Sequence, residues 1–167
     1  MIFVTVGTHE QQFNRLIQCV DELKRDGVIR EDVFIQTGFS TYEPQYCRWS
    51  KLIPYEEMVK NVEQARIVIT HGGPASFIMP LQMGKVPIVV PRQLQYGEHV
   101  NDHQVEFANA VSERMRTIIC VTNVGDLNHI IDDYDRILGN MQLSLFSNNQ
   151  KFVEEFKIKV AELFDGL

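Results

Sequence analysis

Three short apolar runs in this sequence close on glycine turns, and two of those turns carry a histidine. Gly7-Thr8-His9 follows IFVTV, Thr37-Gly38 follows DVFIQ, and His71-Gly72-Gly73-Pro74 follows RIVIT. Glycine at the end of a strand lets the backbone come close to a ligand. A helix starting just beyond it presents unsatisfied N–H groups carrying partial positive charge. That pairing binds anions, phosphate most naturally. Taken one at a time, each glycine can serve only a tight turn; three on one rim favour a phosphate-bearing ligand. None of the three reads GxGxxG or GxxxxGK[ST], so dinucleotide and P-loop chemistry lack their fingerprints.

A second polar cluster, Tyr96 to Gln104 (YGEHVNDHQ), follows a further apolar run, VPIVV. His99 and His103 stand at i and i+4 and share a face if the segment is helical. With Glu98 they could hold zinc, but the HExxH order is absent and Asp102 would point off that face, so no metal is expected. A solvated helix start is the second reading, and polar contact with a ligand on the rim is the third. His9 can be a cap or a base. A helix N-terminus would lower its pKa toward a neutral, proton-accepting ring, and Glu10 would raise it, so its protonation stays open.

The elements that must hold these groups follow from periodicity. Strands are expected at Ile2–Val6, Asp32–Thr37, Lys51–Ile53, Arg66–Thr70, Val86–Val90 and Thr117–Val121. Helical spacing covers about 13–25, with Thr8 as a candidate N-cap, and Tyr55–Gln64. It recurs at Pro74 to about Met83, Glu98–Met115, Val124–Leu138 and Asn148–Phe164. The aromatic-rich stretch 39–49 reads as loop. Short buried strands alternating with helices imply right-handed βαβ units, hence an α/β, Rossmann-like open parallel sheet with helices on both faces. Ligands of such sheets bind beyond the carboxyl ends of the strands, where all three glycine turns fall.

Length and charge agree. The chain has 167 residues, 44% hydrophobic and 23% charged, which suits one globular domain over 1–167. Sixteen basic residues against 22 acidic ones give a net charge of −6, the wrong sign for a nucleic-acid binder. Cys19, Cys47 and Cys120 are an odd number at wide spacing, so a disulfide framework is not expected and the compartment is read as reducing and cytoplasmic. Cys19 and Cys120 fall in register with core positions. No apolar run is long enough to span a bilayer, and MIFVTVGTHE lacks the basic start of a signal peptide.

VTVGTHEQQFNRLI, VFIQTGFS and THGGPASFIMPLQMGKVPIVVPRQLQYGEHVNDHQVEF together resemble the small catalytic subunits of capsular and exopolysaccharide glycosyltransferases of the β-1,4-galactosyltransferase type. These are similar in turn to the catalytic subunit of the two-part dolichol-pathway GlcNAc transferase. A more distant likeness is to the C-terminal half of the peptidoglycan lipid-intermediate GlcNAc transferase. The resemblance implies the donor-binding half of an inverting GT-B enzyme that uses a UDP-sugar, galactose being favoured, and needs no cofactor or essential metal. His71, Gly72, Gly73, Pro74 and Ser76 would cradle the donor diphosphate. Gly7, Thr8 and His9 would face the cleft, and Glu98, His99, Asn101, His103 and Gln104 would touch donor sugar and phosphates. Relatives place a ribose-binding Glu on the helix after HGG, where this chain has Met79 and then Pro80.

His9 is the base candidate on this chain. The resemblance also implies a lipid-linked saccharide acceptor and a membrane-anchored partner subunit supplying the other GT-B half, with this chain peripheral at the inner membrane face. A non-catalytic UDP-sugar-binding or regulatory subunit is the alternative, and an epimerase-like enzyme is disfavoured by the missing dinucleotide fingerprint. In the segment 148–167, Phe152, Val153, Phe156, Val160, Leu163 and Phe164 make one stripe. It could pack on the sheet, dock the partner or lie on a membrane, the last weakened by Glu154, Glu155 and Glu162.

Overall fold

Continuous apolar runs form most of the strands. These are β1 (Ile2–Thr5), β2 (Val33–Gln36), β4 (Ile67–His71) and β5 (Ile88–Val90), with β3 (Arg48–Ser50) and β6 (Ile119–Cys120) at the edges. The computed structural model describes residues 1–141, so the expected helix of 148–167 lies outside the described residues. The chain divides into two compact units, 1–133 and 134–167. The second opens with helix over 134–141.

In the first unit every strand pair is parallel and the order is β3-β2-β1-β4-β5-β6. This is the open parallel sheet expected from the sequence. The chain steps from β1 outward to β2 and β3, then returns to β4 on the other side of β1. Right-handed crossovers therefore put α1 (Asn14–Arg25) on one face and α3 (Pro74–Gln82) and α4 (His103–Met115) on the other. Phe3 and Val68 pack with Val62 and Ala65 at the end of α2 (Tyr55–Gln64), with Met58 and Met79 against them. Phe77, Val89, Ala108 and Ile118 form the adjoining cluster. The alternate residues Ile2, Val4, Ile35, Ile67, Ile69 and Ile88 are equally buried on the opposite pleat. The β1/β4 boundary is the topological switch point, and the turns of His9 and His71 open there.

Strand ends shift by a residue or two, and four expectations change in substance. The third strand is Arg48–Ser50, not Lys51–Ile53; it is a polar, exposed edge whose pairing comes from β2. Helix α1 starts at Asn14 with Phe13 as its N-cap residue, so Thr8 caps nothing and residues 8–13 form a loop. Helix α4 starts at His103, not Glu98. The expected helix 124–138 is interrupted: a 3-10 turn at Val124–Asp126 leads into α5 (Leu127–Asp132), which ends in a turn at Asp133.

Asp21 organises the long loop between β2 and β3. Its fully buried carboxylate accepts from the backbone N–H of Gln45, Tyr46 and Cys47 at 2.8–2.9 Å and from the Tyr42 hydroxyl at 3.0 Å. Burial alone would raise its pKa, but these hydrogen bonds outweigh burial and hold it below 3.8. Asp21→Ala would leave three amides unpaired and should cost about 3–4 kcal/mol in urea denaturation. Since the folded pKa is depressed, the wild-type contribution is full above about pH 4 and lost as pH falls through the folded value. The variant's deficit should therefore shrink in acid; a deficit constant from pH 7 to 3 would contradict this account.

Candidate functional site

The rim is built by three loops and two braces. The first brace is Gln36, the buried last residue of β2. Its Oε1 accepts from the Thr5 hydroxyl at 2.7 Å and the Gly7 N–H at 3.1 Å, while its Nε2 donates to the Gly7 and Lys51 carbonyls at 3.0 Å. Both backbone groups of Gly7 are thus fixed by one amide. Gly7 has φ +75, and a Cβ there would lie 2.6 Å from His71 Nε2. Only glycine meets both conditions. A Cβ on Gly73 would fall 2.9 Å from Nδ1 of the same His71 ring and closer still to Cε1. The His71 imidazole is therefore packed against two glycines, which explains their types better than turn geometry alone does.

The second brace is Arg92, just beyond β5 and 1% exposed. It donates to the carbonyls of Gln11 and Gln12 in the loop after β1, of Val6 at the end of β1, and of Glu98. Its guanidinium also lies 4.8 Å from the Phe13 ring centre. Gln104 completes the connection, its Oε1 accepting from the N–H of Gly72 at 3.1 Å and of Arg92 at 3.2 Å. Sequence reasoning missed both Gln36 and Arg92. Their one signal was a large polar residue closing an apolar run.

The three rim histidines share one local geometry. His71 Nδ1 accepts from the Gly73 N–H at 3.0 Å, His9 Nδ1 from Gln11 at 3.2 Å, and His99 Nδ1 from Asn101 at 3.4 Å. An Nδ1 that accepts carries no proton, so each neutral ring carries its proton on Nε2 and is a donor there. The His9 and His99 rings lie 5.2 Å apart. Burial lowers the His9 pKa, as do Arg92 and His99, against the pull of Glu10. The helix start invoked for that shift is not involved, since α1 begins five residues later. Burial, then Arg92, lowers His71 to about 4. In this geometry His9 presents Nε2–H, and it takes up a proton only by releasing Gln11.

The remaining expected residues divide between rim and interior. Pro74 is the first residue of α3, whose start Gly73 precedes in extended backbone. The Ser76 hydroxyl turns inward, donating to the His71 and Gly73 carbonyls. Thr8 is exposed on the loop, and Thr37 is buried with its N–H on the Ser50 carbonyl. Gly38 donates to the Lys51 carbonyl beside the Gln36 amide. Asn101 accepts from the His103 N–H and shapes the turn into α4.

Glu98 does not reach the rim surface: it is 0% exposed and holds Arg15 by two 2.9 Å bonds, with the Gln93 N–H on Oε2. His103 is 77% exposed beside Glu106. Because α4 begins at that residue, His99 and His103 do not share a helix face. Met79 packs against the core cluster under α3, so the position where relatives carry a ribose ligand faces inward here. The thiols of Cys19 and Cys120 are half-buried and pushed up to about 11 by burial, and that of the buried Cys47 to about 12, values that suit packing and not nucleophilic attack.

A turn pair of this kind, two glycine loops meeting a helix N-terminus and ringed by imidazole Nε2–H donors, suits an anion that gains charge during reaction. Comparisons with known proteins identify the family and the fold. The model of the glycosyltransferase family 28 C-terminal domain matches residues 1–163. The UDP-N-acetylglucosamine transferase subunit ALG13 of Homo sapiens is 28% identical over 132 residues, covering 74% of this chain and 11% of that protein. Among solved structures, the glycosyltransferase of kitacinnamycin superposes with a TM-score of 0.57 at 14% identity, over 86% of this chain and 38% of that one. SnogD from Streptomyces nogalater gives 0.48 at 16% identity, over 86% and 39%. The chain thus spans well under half the length of each of these proteins.

Proposed function

Because this chain belongs to the glycosyltransferase family 28 C-terminal domain family, we propose that it is the donor-binding half of an inverting glycosyltransferase using a UDP-sugar. The observation that carries the reading is the His71 turn, set against Gly7 across the switch point with the start of α3 beside it. When the glycosidic bond to the nucleotide breaks, negative charge collects on the departing diphosphate. The start of α3 places the partial positive charge of a helix N-terminus beside that turn in fixed geometry, while the Gly72 and Gly73 amides hold the turn's shape through Gln104 and His71, so stabilisation needs no reorganisation. His9 and His99 add Nε2–H donors. The word subunit in the name of the human relative supports a partner chain, and the resemblance reads that partner as membrane-anchored and as the other GT-B half. That partner brings the lipid-linked saccharide acceptor, and places this chain peripherally at the inner face of the membrane.

Galactose is the proposed hexose, on the resemblance of the central HGG to HQ segment to capsular and exopolysaccharide galactosyltransferase subunits. The acceptor hydroxyl must lose a proton. With Nδ1 of His9 committed to Gln11, that base is assigned to the partner half, and His9 acts on the diphosphate. Titration calorimetry on the purified chain tests the donor class. UDP should bind roughly tenfold or more tighter than NAD; equal affinity, or no UDP binding, would end the reading. Transfer from radiolabelled UDP-galactose and UDP-GlcNAc to a lipid-linked acceptor, with the partner co-expressed, then separates the two sugars. Transfer without this chain would leave it a regulatory subunit.

A further inference from the structure

Arg92 is an unusual residue to bury. It is 1% exposed, yet among the described residues no carboxylate bonds its guanidinium: the nearby Glu98 carboxylate is held by both Arg15 nitrogens. Its two terminal nitrogens are used on four backbone carbonyls, and its Nε has no partner within the described residues. Arg15, Arg92 and Glu98 together carry one net positive charge. Burying an unpaired charge costs stability unless something opposite in sign approaches it. The loops that Arg92 ties are those of His9 and Glu98–His99, and Gln104 connects its own backbone to Gly72. The Arg92 side chain therefore ties the His9 and His99 loops of the proposed anion site together, and its backbone N–H shares Gln104 with the His71 turn. Its charge also reaches the site, being a cause of the lowered pKa of both His9 and His71.

We propose that Arg92 is a positioning residue for the donor diphosphate: its side chain fixes the spacing of the His9 and His99 turns and supplies the buried positive charge beneath them and the His71 turn. This rests on the reading of the rim as a nucleotide-sugar site. The guanidinium does not touch the ligand; it acts through the carbonyls it holds and through its field. The consequence is selective. The phosphates of a ligand sense the charge and the turn spacing, whereas a uridine ring and ribose without phosphate do not.

The test compares UDP and uridine binding to the full-length chain and to two variants, Arg92→Lys and Arg92→Met, with urea denaturation as the check on folding. Arg92→Met should weaken UDP binding about 100-fold and uridine binding less than about twofold. Arg92→Lys keeps the charge, but one ammonium cannot span four carbonyls, so UDP should weaken only about tenfold. In the folded variants, histidine NMR titration should show His9 and His71 rising toward 6.5 in Arg92→Met and staying low in Arg92→Lys. The groups facing these rings, namely Glu10, Gln104 and His99, are unchanged in both. Parallel loss of UDP and uridine would make Arg92 a structural staple and overturn the proposal, as would UDP affinity unchanged in Arg92→Met. If the wild-type chain fails to bind UDP, the donor-site reading falls and takes this proposal with it.

Discussion

A Gly73→Ala variant should lose about 100-fold in UDP affinity while its unfolding free energy falls by only about 1 kcal/mol. The backbone at Gly73 has φ −71 and ψ 130, extended values that alanine adopts freely. The added methyl is the problem, because it would lie 2.9 Å from His71 Nδ1 and closer to Cε1. The ring already fills the space a side chain at Gly7 would take, so it is packed close to that backbone. It must swing out of the turn, breaking the 3.0 Å bond from the Gly73 N–H to Nδ1. The turn then loses the bond that fixes it beside the start of α3, while the sheet beneath is untouched. Calorimetry with UDP, beside urea denaturation, measures both quantities. In a His71→Ala background the clash is gone, so adding Gly73→Ala should cost no further affinity. Full UDP affinity in a folded Gly73→Ala chain would show that this turn does not hold the donor.

The parts of this site that were legible in the sequence are those whose residue types advertise themselves locally. IFVTVGTH, DVFIQTG and RIVITHGGP announce buried parallel strands and the turns after them, because a strand covered on both faces must be apolar throughout and a close turn needs glycine. Those signals sit within a few residues of each other. The edge strand Arg48-Trp49-Ser50 has no such signal. It owes its conformation to Ile35 and its neighbours in β2, and the apolar pair Leu52-Ile53 pulled the expectation to the wrong place.

The same distinction explains the braces. Gln36 bonds residues 29 and 31 positions away, and Arg92 reaches Val6 across 86; no local pattern encodes such a contact. The error at Glu98–Asp102 has a related cause. Helical spacing of the histidines was suggestive, but Gly97 in the left-handed region (φ +63) ends one turn, and side-chain bonds from Asn101 and Asp102 shape the next. Those bonds compete with helix, so α4 waits until His103. What looked like a metal-spaced pair is one ring at the rim and one in solvent.

His9 separates two chemistries that the sequence left open, and its substitution has the second large effect. His9→Ala should lower transfer by about 100-fold, and His9→Gln should restore most of it. A glutamine amide can place an N–H near the position of Nε2, but it cannot accept and hold a proton. Rescue therefore belongs to a donor, and its absence to a base. The pH dependence has opposite signs in the two cases. The His9 pKa lies below 6.5, lowered by burial, Arg92 and His99, so the ring is mainly neutral at pH 7. As pH falls through that pKa, a donor ring gains charge and UDP affinity should rise. A base would instead be lost, and the rate would fall along an acid limb that His9→Ala lacks. The Gln11 N–H on Nδ1 favours the donor. Glutamine as inactive as alanine, together with that acid limb, would return the base to this chain. The rescue and the rising affinity would leave the base on the half of the enzyme that brings the acceptor.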